Sequence, residues 1–199
     1  MKVEEIYKEL PNLETNRLFL RKLTKEDAPD IFSYASDPVV TKYLFWNSHQ
    51  TLDDTMDYIN FALHQYTNYD VAPWGIHHKQ DNKLIGTIDF VRWIPEDRLA
   101  EIGYVIAPAY WGKGITTEAA QKIISFGFNN MNLIRVEAKC YKENVGSQRV
   151  MEKCGMSLEG TIRKGVFKKG RHWDITLYSI LRDEFFNSSP QETEGKVTL

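Results

Sequence analysis

The chain has 199 residues, with 25 basic and 27 acidic side chains and a formal net charge of −2. This balance leaves no basic excess that would attract nucleic acid or an anionic membrane. No apolar run approaches the roughly 20 residues needed to span a bilayer, and the opening MKVEEIYKELPNLE lacks the apolar core of a signal peptide. We therefore expect a cytoplasmic protein with no nucleic-acid and no membrane partner.

The cysteines and histidines give no sign of a metal. Cys140 and Cys154 lie in apolar surroundings without CxxC or zinc-ligand spacing, so we expect buried, reduced thiols. His77 and His78 are neighbours in a predicted strand, where adjacent side chains point to opposite faces. They therefore do not form a paired metal site, and no metal is implied.

The first third of the chain predicts a strand followed by two helices. Residues 17–23 alternate as a strand does. Thr24 begins a helix in a capping-box-like sequence, with Asp27 in place of glutamate, and Pro38 follows the end of that helix. Thr51 begins the second helix, whose first turns carry three aspartates that suit the helix dipole.

Six more strands and two more helices are predicted beyond residue 70. The strands are 73–79, 83–93, 98–108, 133–140, 157–167 and 172–181, and the helices are 115–128 and 144–156. The order β, α, α, β, β, β, α, β, α, β, β indicates one α+β domain with a central, partly antiparallel sheet and helices on both faces.

A glycine loop, Gly112-Lys113-Gly114, joins a predicted strand to a predicted helix. The first N–H groups of a helix have no partner within it, and glycines let a ligand approach the backbone, so such a loop suits phosphate oxygens. A Walker loop would need Ser or Thr after the lysine, and a dinucleotide fingerprint would need a third glycine where Thr117 stands. Taken alone, the loop is equally well explained as a tight strand-to-helix connection.

The surrounding sequence resembles one family. YWGKGITTEA resembles the acyl-CoA-binding motif of the GNAT superfamily of N-acetyltransferases, in its RimJ/RimL branch, with Trp111 and Thr116 departing from the general motif. ETNRLFLRKLTKEDA, GTIDF, AEIGYVIAPAYWGKG, NVGSQRVMEKCGMSLEG and WDITLYSILRDEF resemble further segments of that branch, in the same order. The resemblance covers residues 14–186, which leaves 1–13 as an N-terminal extension and 187–199 as a polar tail.

The resemblance implies the GNAT fold, with a mostly antiparallel seven-stranded sheet splayed between strands 4 and 5. It implies acetyl-CoA as co-substrate, its pyrophosphate on the glycine loop and its pantetheine arm along the fourth strand. The residues implied to bind it are Tyr104, Val105, Ile106, Ala107, Trp111, Gly112, Lys113, Gly114, Ile115, Thr116, Thr117, Asn144 and Ser147. Lys113 has two open alternatives, a phosphate contact or a solvent-facing side chain. Asn144 has a second explanation as a helix N-cap.

Two residues are candidates for the chemistry. Acetyl transfer to an amine needs a base, because an amine with a pKa near 10 is mostly protonated at neutral pH, and the family places a strand glutamate where Glu101 stands. The alternative for Glu101 is a solvated or salt-bridged carboxylate. The family's tyrosine is replaced here by Met151, and the resemblance to RimL-type enzymes, which are thought to use the serine of this Asn-x-x-Ser motif, makes Ser147 the candidate acid. The alternative for Ser147 is a plain small residue. A glutamate proposed as base in RimL-type enzymes is replaced by Val166.

The acceptor stays open at this stage. The resemblance implies an N-acetyltransferase that acts by direct attack in a ternary complex on a primary amine: a protein N-terminus such as that of a ribosomal protein, a polyamine, or an aminoglycoside-type antibiotic or other small amine. The second hypothesis is an acetyl-CoA sensor without turnover. The aromatic residues available near the acceptor are Phe45, Trp46, Trp74, Trp93, His172 and Trp173, although such a set more often forms core. Dimers are frequent in the family, so a homodimer is a further expectation.

Overall fold

Eight strands form a single sheet in the computed structural model, which describes residues 2–188. The strands are β1 (Leu13–Glu14), β2 (Leu18–Arg21), β3 (Trp74–His78), β4 (Lys83–Ile94), β5 (Leu99–Ile106), β6 (Arg135–Tyr141), β7 (Ser157–Lys168) and β8 (Arg171–Leu181). They lie in the order β1-β2-β3-β4-β5-β6-β8-β7. Every neighbouring pair is antiparallel except β5 and β6, which are parallel. The predicted fold class is confirmed.

The predicted number of seven strands was one too few. The additional strand, β1, has two residues and pairs with β2, so it is too short for an alternating pattern to reveal it. Its first residue, Leu13, is the last residue of the stretch that the sequence analysis set apart as an N-terminal extension. That stretch packs on the domain, because the ring of Tyr7 is fully buried and lies 6.3 Å from the ring of Trp74.

Seven α-helices accompany the sheet within the described residues. They are α1 (Val3–Tyr7), α2 (Ala28–Ala35), α3 (Pro38–Thr41), α4 (Leu52–Asn68), α5 (Ile115–Asn130), α6 (Val145–Lys153) and α7 (Arg182–Ser188). Thr24 forms the predicted capping box with Asp27, ahead of a short 3-10 turn that leads into α2. Thr51 caps α4 in the same way, with Asp54 as the reciprocal partner. Residues 189–199 of the predicted tail lie outside the described residues.

Helices cover both faces of the sheet, as predicted. On one face the Tyr58 hydroxyl of α4 lies 3.5 Å from the hydroxyl of Thr87 on β4. On the other face Phe90 of β4 lies so close to Gly127 of α5 that an added Cβ would meet its ring at 3.1 Å. Thr87 and Phe90 lie an odd number of positions apart on one strand, so their side chains point to opposite faces.

The sheet opens between β5 and β6, which are the fourth and fifth of the predicted strands. The two strands pair from Leu99 with Arg135 to Ile102 with Ala138, and the pairing stops there. β5 continues to Ile106 along β4 alone. The predicted splay is therefore confirmed, and the second half of β5 lacks a neighbour on one side.

Candidate active site

A cavity of about 510 Å³ fills the opening between β5 and α6. Eight of the thirteen residues predicted to bind acetyl-CoA line it: Tyr104, Val105, Ile106, Trp111, Gly112, Thr116, Asn144 and Ser147. The strand, the glycine loop and the start of α6 thus meet around one cleft. The strand and the loop are neighbours in sequence. α6 reaches the same cleft because it directly follows β6, the strand that diverges from β5.

The glycine loop has the geometry of an anion cradle. Gly112 and Gly114 have φ angles of +72° and +75°, which side chains with a Cβ rarely adopt. The first hydrogen bond of α5 joins the N–H of Glu118 to the carbonyl of Gly114 at 3.0 Å. The helical N–H groups before it therefore have no acceptor within the helix and are available to oxygens in the cleft.

Arg17 braces this loop from behind, a contact that the sequence analysis missed. Its guanidinium donates to the Lys113 carbonyl at 2.9 Å and pairs with the Glu118 carboxylate at 2.6 Å. The backbone N–H of Arg17 also donates to Glu118, at 3.0 Å. Because the carbonyl of Lys113 is held on the far side, the loop's N–H groups stay oriented towards the cleft. The partners lie about a hundred residues apart in sequence, so no local pattern indicates the contact.

We expect Arg17→Gln to raise the KM for acetyl-CoA by about threefold to tenfold with little change in kcat, because exposed charge-assisted bonds of this kind are worth roughly one factor of ten or less. Steady-state kinetics with varied acetyl-CoA measure the effect. Arg98→Gln is the matched control, since Arg98 is an exposed arginine that donates twice to Asn132, at 2.8 Å each, next to the opposite end of β5. An equal rise in both variants would contradict a specific role for Arg17.

Four of the predicted cofactor residues also have contacts within the protein. The N–H of Ala107 donates to the carbonyl of Ile85 at 2.8 Å, so it is already bonded to the chain beside β5 and does not face the cleft. The side chain of Ile115 is only 1% exposed and belongs to the core. The ammonium of Lys113 lies over the Tyr110 ring, 5.6 Å from its centroid. The carbonyl of Thr117 accepts a weak contact from a buried thiol at 3.8 Å.

The free backbone groups of β5 can be identified from this pairing. Backbone groups alternate in direction along a strand. Because Ala107 is bonded towards β4, Tyr104 and Ile106 direct their groups into the gap. The indole of Trp111 donates to the carbonyl of Ile106 at 2.9 Å, which leaves both backbone groups of Tyr104 and the N–H of Ile106 for a ligand.

A hydroxyl pair lies at the middle of the cleft. The Tyr104 hydroxyl and Ser147 Oγ are 2.9 Å apart, and burial raises the pKa of Tyr104 well above its usual value. Asn144 is the N-cap of α6, where its side chain accepts from the N–H of Ser147 at 3.2 Å. Met151, at the position of the family's tyrosine, is buried in the core. Tyr104 therefore supplies a phenol near Ser147 from the strand.

A second cavity, of about 290 Å³, adjoins the first and shares with it residues that include Tyr104, Val105 and Ser147. Its wall combines aromatic rings with two carboxylates: Tyr43, Phe45, Trp46, Tyr58, Tyr141, Asp89 and Glu101. Of the aromatic residues considered in the sequence, Phe45 and Trp46 line this cavity. Trp74 and Trp93 are buried in the core, and Trp173 packs behind the wall, 4.7 Å from the Tyr141 ring.

Glu101 lines the second cavity, but its carboxylate is paired. The Lys139 ammonium lies 2.6 Å from Glu101 Oε2 and 3.5 Å from Glu137 Oε1. The two strands bring these residues together through the parallel pairing of Glu101 with Glu137. Glu101 is thus a salt-bridged strand carboxylate, which was the alternative to its role as a base.

Asp89 is a carboxyl group of this cavity that the sequence analysis did not single out. It is half-buried on β4 and pairs across the sheet with Gly103. Burial raises the pKa of Asp89 to about 7. The pattern GTIDF contained the signal, because Thr87 and Asp89 alternate with the buried Ile88 and Phe90 and so share the opposite face.

The family model for the acetyltransferase (GNAT) domain matches residues 17–157 of this chain. The chain belongs to the GNAT acetyltransferase family. The cleft, the glycine loop and the splayed strands described above lie mostly within the matched residues, so the site belongs to the acetyltransferase domain. The protein is an acetyltransferase, as predicted.

Proteins named as N-acetyltransferases, and a GNAT-family crystal structure, resemble the chain over most of its length. The uncharacterized N-acetyltransferase YoaA of Bacillus subtilis is 34% identical over 172 residues, which is 86% of this chain and 97% of YoaA. The putative ribosomal N-acetyltransferase YdaF of the same organism is 34% identical over 72% of this chain and 79% of its own. A GNAT-family acetyltransferase crystal structure from Bacillus anthracis has a TM-score of 0.78 at 33% identity, covering 87% of this chain and 99% of that one.

Three further observations concern the thiols, possible metal ligands and helices of this GNAT acetyltransferase. Cys140 and Cys154 are free and buried, as expected. Between residues 2 and 188, no group of three or more His, Cys, Asp or Glu side chains is arranged to hold a metal ion. Over the same range, no helix combines the length and the apolar character that crossing a bilayer requires.

Proposed function

We propose that this protein transfers the acetyl group of acetyl-CoA to a primary amine by direct attack in a ternary complex. The observation that carries the proposal is the junction of the two cavities at Tyr104, Val105 and Ser147. A long co-substrate in the first cavity and an amine in the second would meet there without a covalent enzyme intermediate. Residues 14–186 are the proposed catalytic domain.

The binding of acetyl-CoA follows from the cleft's own donors and acceptors. The loop N–H groups from Gly112 to Thr117 would hold the pyrophosphate. The free backbone groups of Tyr104 and Ile106 would pair with the amides of the pantetheine arm, as an added strand does. Asn144 and Ser147 would lie along the other side of the arm.

The transfer moves two protons and one acyl group. A carboxylate of the second cavity takes a proton from the acceptor ammonium, and the freed nitrogen attacks the thioester carbonyl carbon. The C–N bond forms and the C–S bond breaks. The nitrogen is positively charged after the attack and loses its second proton. The leaving thiolate takes a proton from Ser147, which is hydrogen-bonded to the Tyr104 hydroxyl at 2.9 Å, and the second proton from nitrogen restores the Ser147–Tyr104 pair.

The second cavity favours a cationic acceptor. Aromatic faces attract ammonium groups, and Asp89 and Glu101 add carboxyl groups of the opposite sign on the same wall. A protein N-terminus, a polyamine and an aminoglycoside-type antibiotic all carry such a group, and the relative YdaF is named a putative ribosomal N-acetyltransferase. The proposal also includes a cytoplasmic location and a homodimer.

An amine panel tests the proposed function. Purified protein is incubated with acetyl-CoA and peptides with free N-termini, polyamines or aminoglycosides, and thiol release is followed. We expect saturable turnover with at least one class, and at least a tenfold lower kcat in Ser147→Ala, because removal of one proton donor typically costs that much or more. Tight acetyl-CoA binding by calorimetry without turnover on any amine would instead favour the second hypothesis, an acetyl-CoA sensor.

A further inference from the structure

We propose that Asp89, and not Glu101, is the general base that takes the proton from the acceptor amine. The inference rests on the proposed function and deepens it by assigning the proton acceptor. Its first support is position. Asp89 pairs with Gly103, the first residue of β5 beyond the last β5–β6 pair, Ile102 with Ala138. The carboxyl group therefore lies beside the point where the strands part and where the two cavities meet.

Gly103 keeps the space in front of Asp89 open. A Cβ built on Gly103 would lie 3.4 Å from Asp89 Oδ1 and 2.5 Å from a methyl group of Val91. Any side chain at this position would therefore fill the space between the carboxyl group and the cavity. Because glycine stands there, both Asp89 and Gly103 line the second cavity, and an amine has access to the carboxyl oxygen.

Glu101 is less suited to the same task because its charge is already engaged. The Lys139 ammonium lies 2.6 Å from its carboxylate, and charge-assisted bonds of this length are among the stronger polar contacts in proteins. To accept a proton, Glu101 would have to lose that bond and leave Lys139 with Glu137 at 3.5 Å as its remaining partner. Glu101 is better suited to attract the ammonium as a fixed charge.

Asp89 has the properties of a base that is free to act. Among residues 2–188 it forms no hydrogen bond and no ion pair, and it is half-buried rather than sealed. Burial raises its pKa to about 7, which is close to the value that serves best for proton transfer at neutral pH. The titratable and charged groups around it are Tyr7 of α1, Tyr58 and Tyr66 of α4, Glu101 of β5 and Lys139 of β6.

The proton balance of the step is simple. Ionised Asp89 takes one proton from the ammonium, and the nitrogen lone pair forms the C–N bond while the C–S bond breaks. The nitrogen is now positively charged and gives its second proton to the Ser147–Tyr104 pair, which protonates the leaving thiolate on the side away from Asp89. After the acetylated product leaves, Asp89 returns its proton to water through the second cavity, so no oxidant, metal or further reactant is required.

The test compares Asp89→Asn with Glu101→Gln on the amine that the wild type acetylates best. We expect Asp89→Asn to lower kcat/KM at least 100-fold, and its remaining rate to lose the rise with pH that the wild type shows around pH 7. We expect Glu101→Gln to keep that rise and to change mainly the KM for the amine. The reverse pattern, with the rise lost in Glu101→Gln and kept in Asp89→Asn, would overturn the proposal. Asp97→Asn, an exposed aspartate in the turn before β5, is the matched control.

A second measurement does not depend on turnover. A carboxyl group whose pKa is raised by folding destabilises the folded state above its unfolded pKa, near 4, and the penalty is complete above pH 7. We therefore expect Asp89→Asn to have a higher thermal midpoint than the wild type at pH 8 and nearly the same midpoint at pH 4. No difference at pH 8 would show that Asp89 is not the raised carboxyl group and would overturn the assignment.

Failure of the proposed function and failure of the base assignment give different results. Wild-type protein that binds acetyl-CoA but acetylates no amine would refute the proposed function and the base with it. Active wild type with an equally active Asp89→Asn would refute the base alone. Acetyl-CoA binding by each variant, measured by calorimetry, shows that a loss of rate does not come from a misfolded cleft.

Discussion

Replacing Gly86 with alanine is expected to lower the free energy of unfolding by about 3 kcal/mol, which is the upper part of the range for an overpacked interior. Gly86 lies on β4 opposite Ile106. A Cβ there would come within 2.2 Å of the Val105 carbonyl oxygen and 3.0 Å of the Ile106 Cα. Both are backbone atoms, so no side-chain rotation relieves the clash and the two strands must separate. Urea unfolding followed by circular dichroism measures the change.

Gly146→Ala is the control for Gly86→Ala. Gly146 lies inside α6, and an added Cβ would meet only Asn144 Oδ1, at 3.7 Å. Alanine is favoured over glycine within helices by roughly 0.5–1 kcal/mol, so this variant is expected to gain stability slightly. A Gly86→Ala protein as stable as the wild type would show that β4 and β5 are not held as closely as described. Because β5 carries Tyr104, the destabilised variant is also expected to bind acetyl-CoA more weakly.

The second large effect is expected at the Arg21–Asp27 pair, which joins β2 to the turn before α2. Asp27 is 5% exposed and accepts from both terminal nitrogens of Arg21, at 2.8 and 2.7 Å, and from the N–H of Thr24 at 2.8 Å. Asp27→Ala removes the carboxylate, so the partly buried guanidinium of Arg21 and the backbone N–H of Thr24 lose their acceptor. We expect a loss of about 3 kcal/mol at pH 7.

The pH dependence of this loss has a definite sign. Burial alone would raise the pKa of Asp27, but the bonds from Arg21 and Thr24 outweigh it, and the net effect lowers the pKa. A lowered carboxyl pKa contributes stability above the unfolded value, near 4, and that contribution is lost as the pH falls through the folded value. The difference in the free energy of unfolding between wild type and Asp27→Ala should therefore become smaller from pH 7 to pH 3.

Urea unfolding at the two pH values measures this narrowing. Asp53→Ala, which removes an exposed aspartate in the first turn of α4, serves as the control and should change stability by well under 1 kcal/mol at both pH values. A gap for Asp27→Ala that stays constant from pH 7 to pH 3 would mean that the ionised form of Asp27 is not what stabilises the turn.

The sequence predicted those parts of the fold that depend on neighbouring residues. Thr24 and Thr51 revealed helix starts, because a capping box satisfies backbone donors three residues away. The short elements were missed, among them β1 and α3, because two to five residues hold too few positions for a period to appear.

Some parts of the candidate site could be predicted from the sequence and others could not. The glycine loop is one continuous segment, so its sequence and its resemblance to a family motif located it. The partners of Glu101 are different, because Lys139 reaches it only through the register of two strands whose residues lie 38 positions apart. The importance of Asp89 likewise depends on its being opposite Gly103. Strand register is decided by packing across the whole sheet, which local sequence patterns do not contain.

The early end of the β5–β6 pairing has a consequence for the physical behaviour of the protein. Most sheets keep their unpaired edges at the margin, where charges and short strands protect them, but this sheet carries an open edge at its centre, beside Tyr104 and Ile106. A ligand that hydrogen-bonds to that edge acts as a missing strand and stabilises the folded chain by an amount that grows with its concentration, about 2.7 kcal/mol at 100 times Kd. The fraction of the protein that is folded would then depend on the concentration of the co-substrate that it consumes.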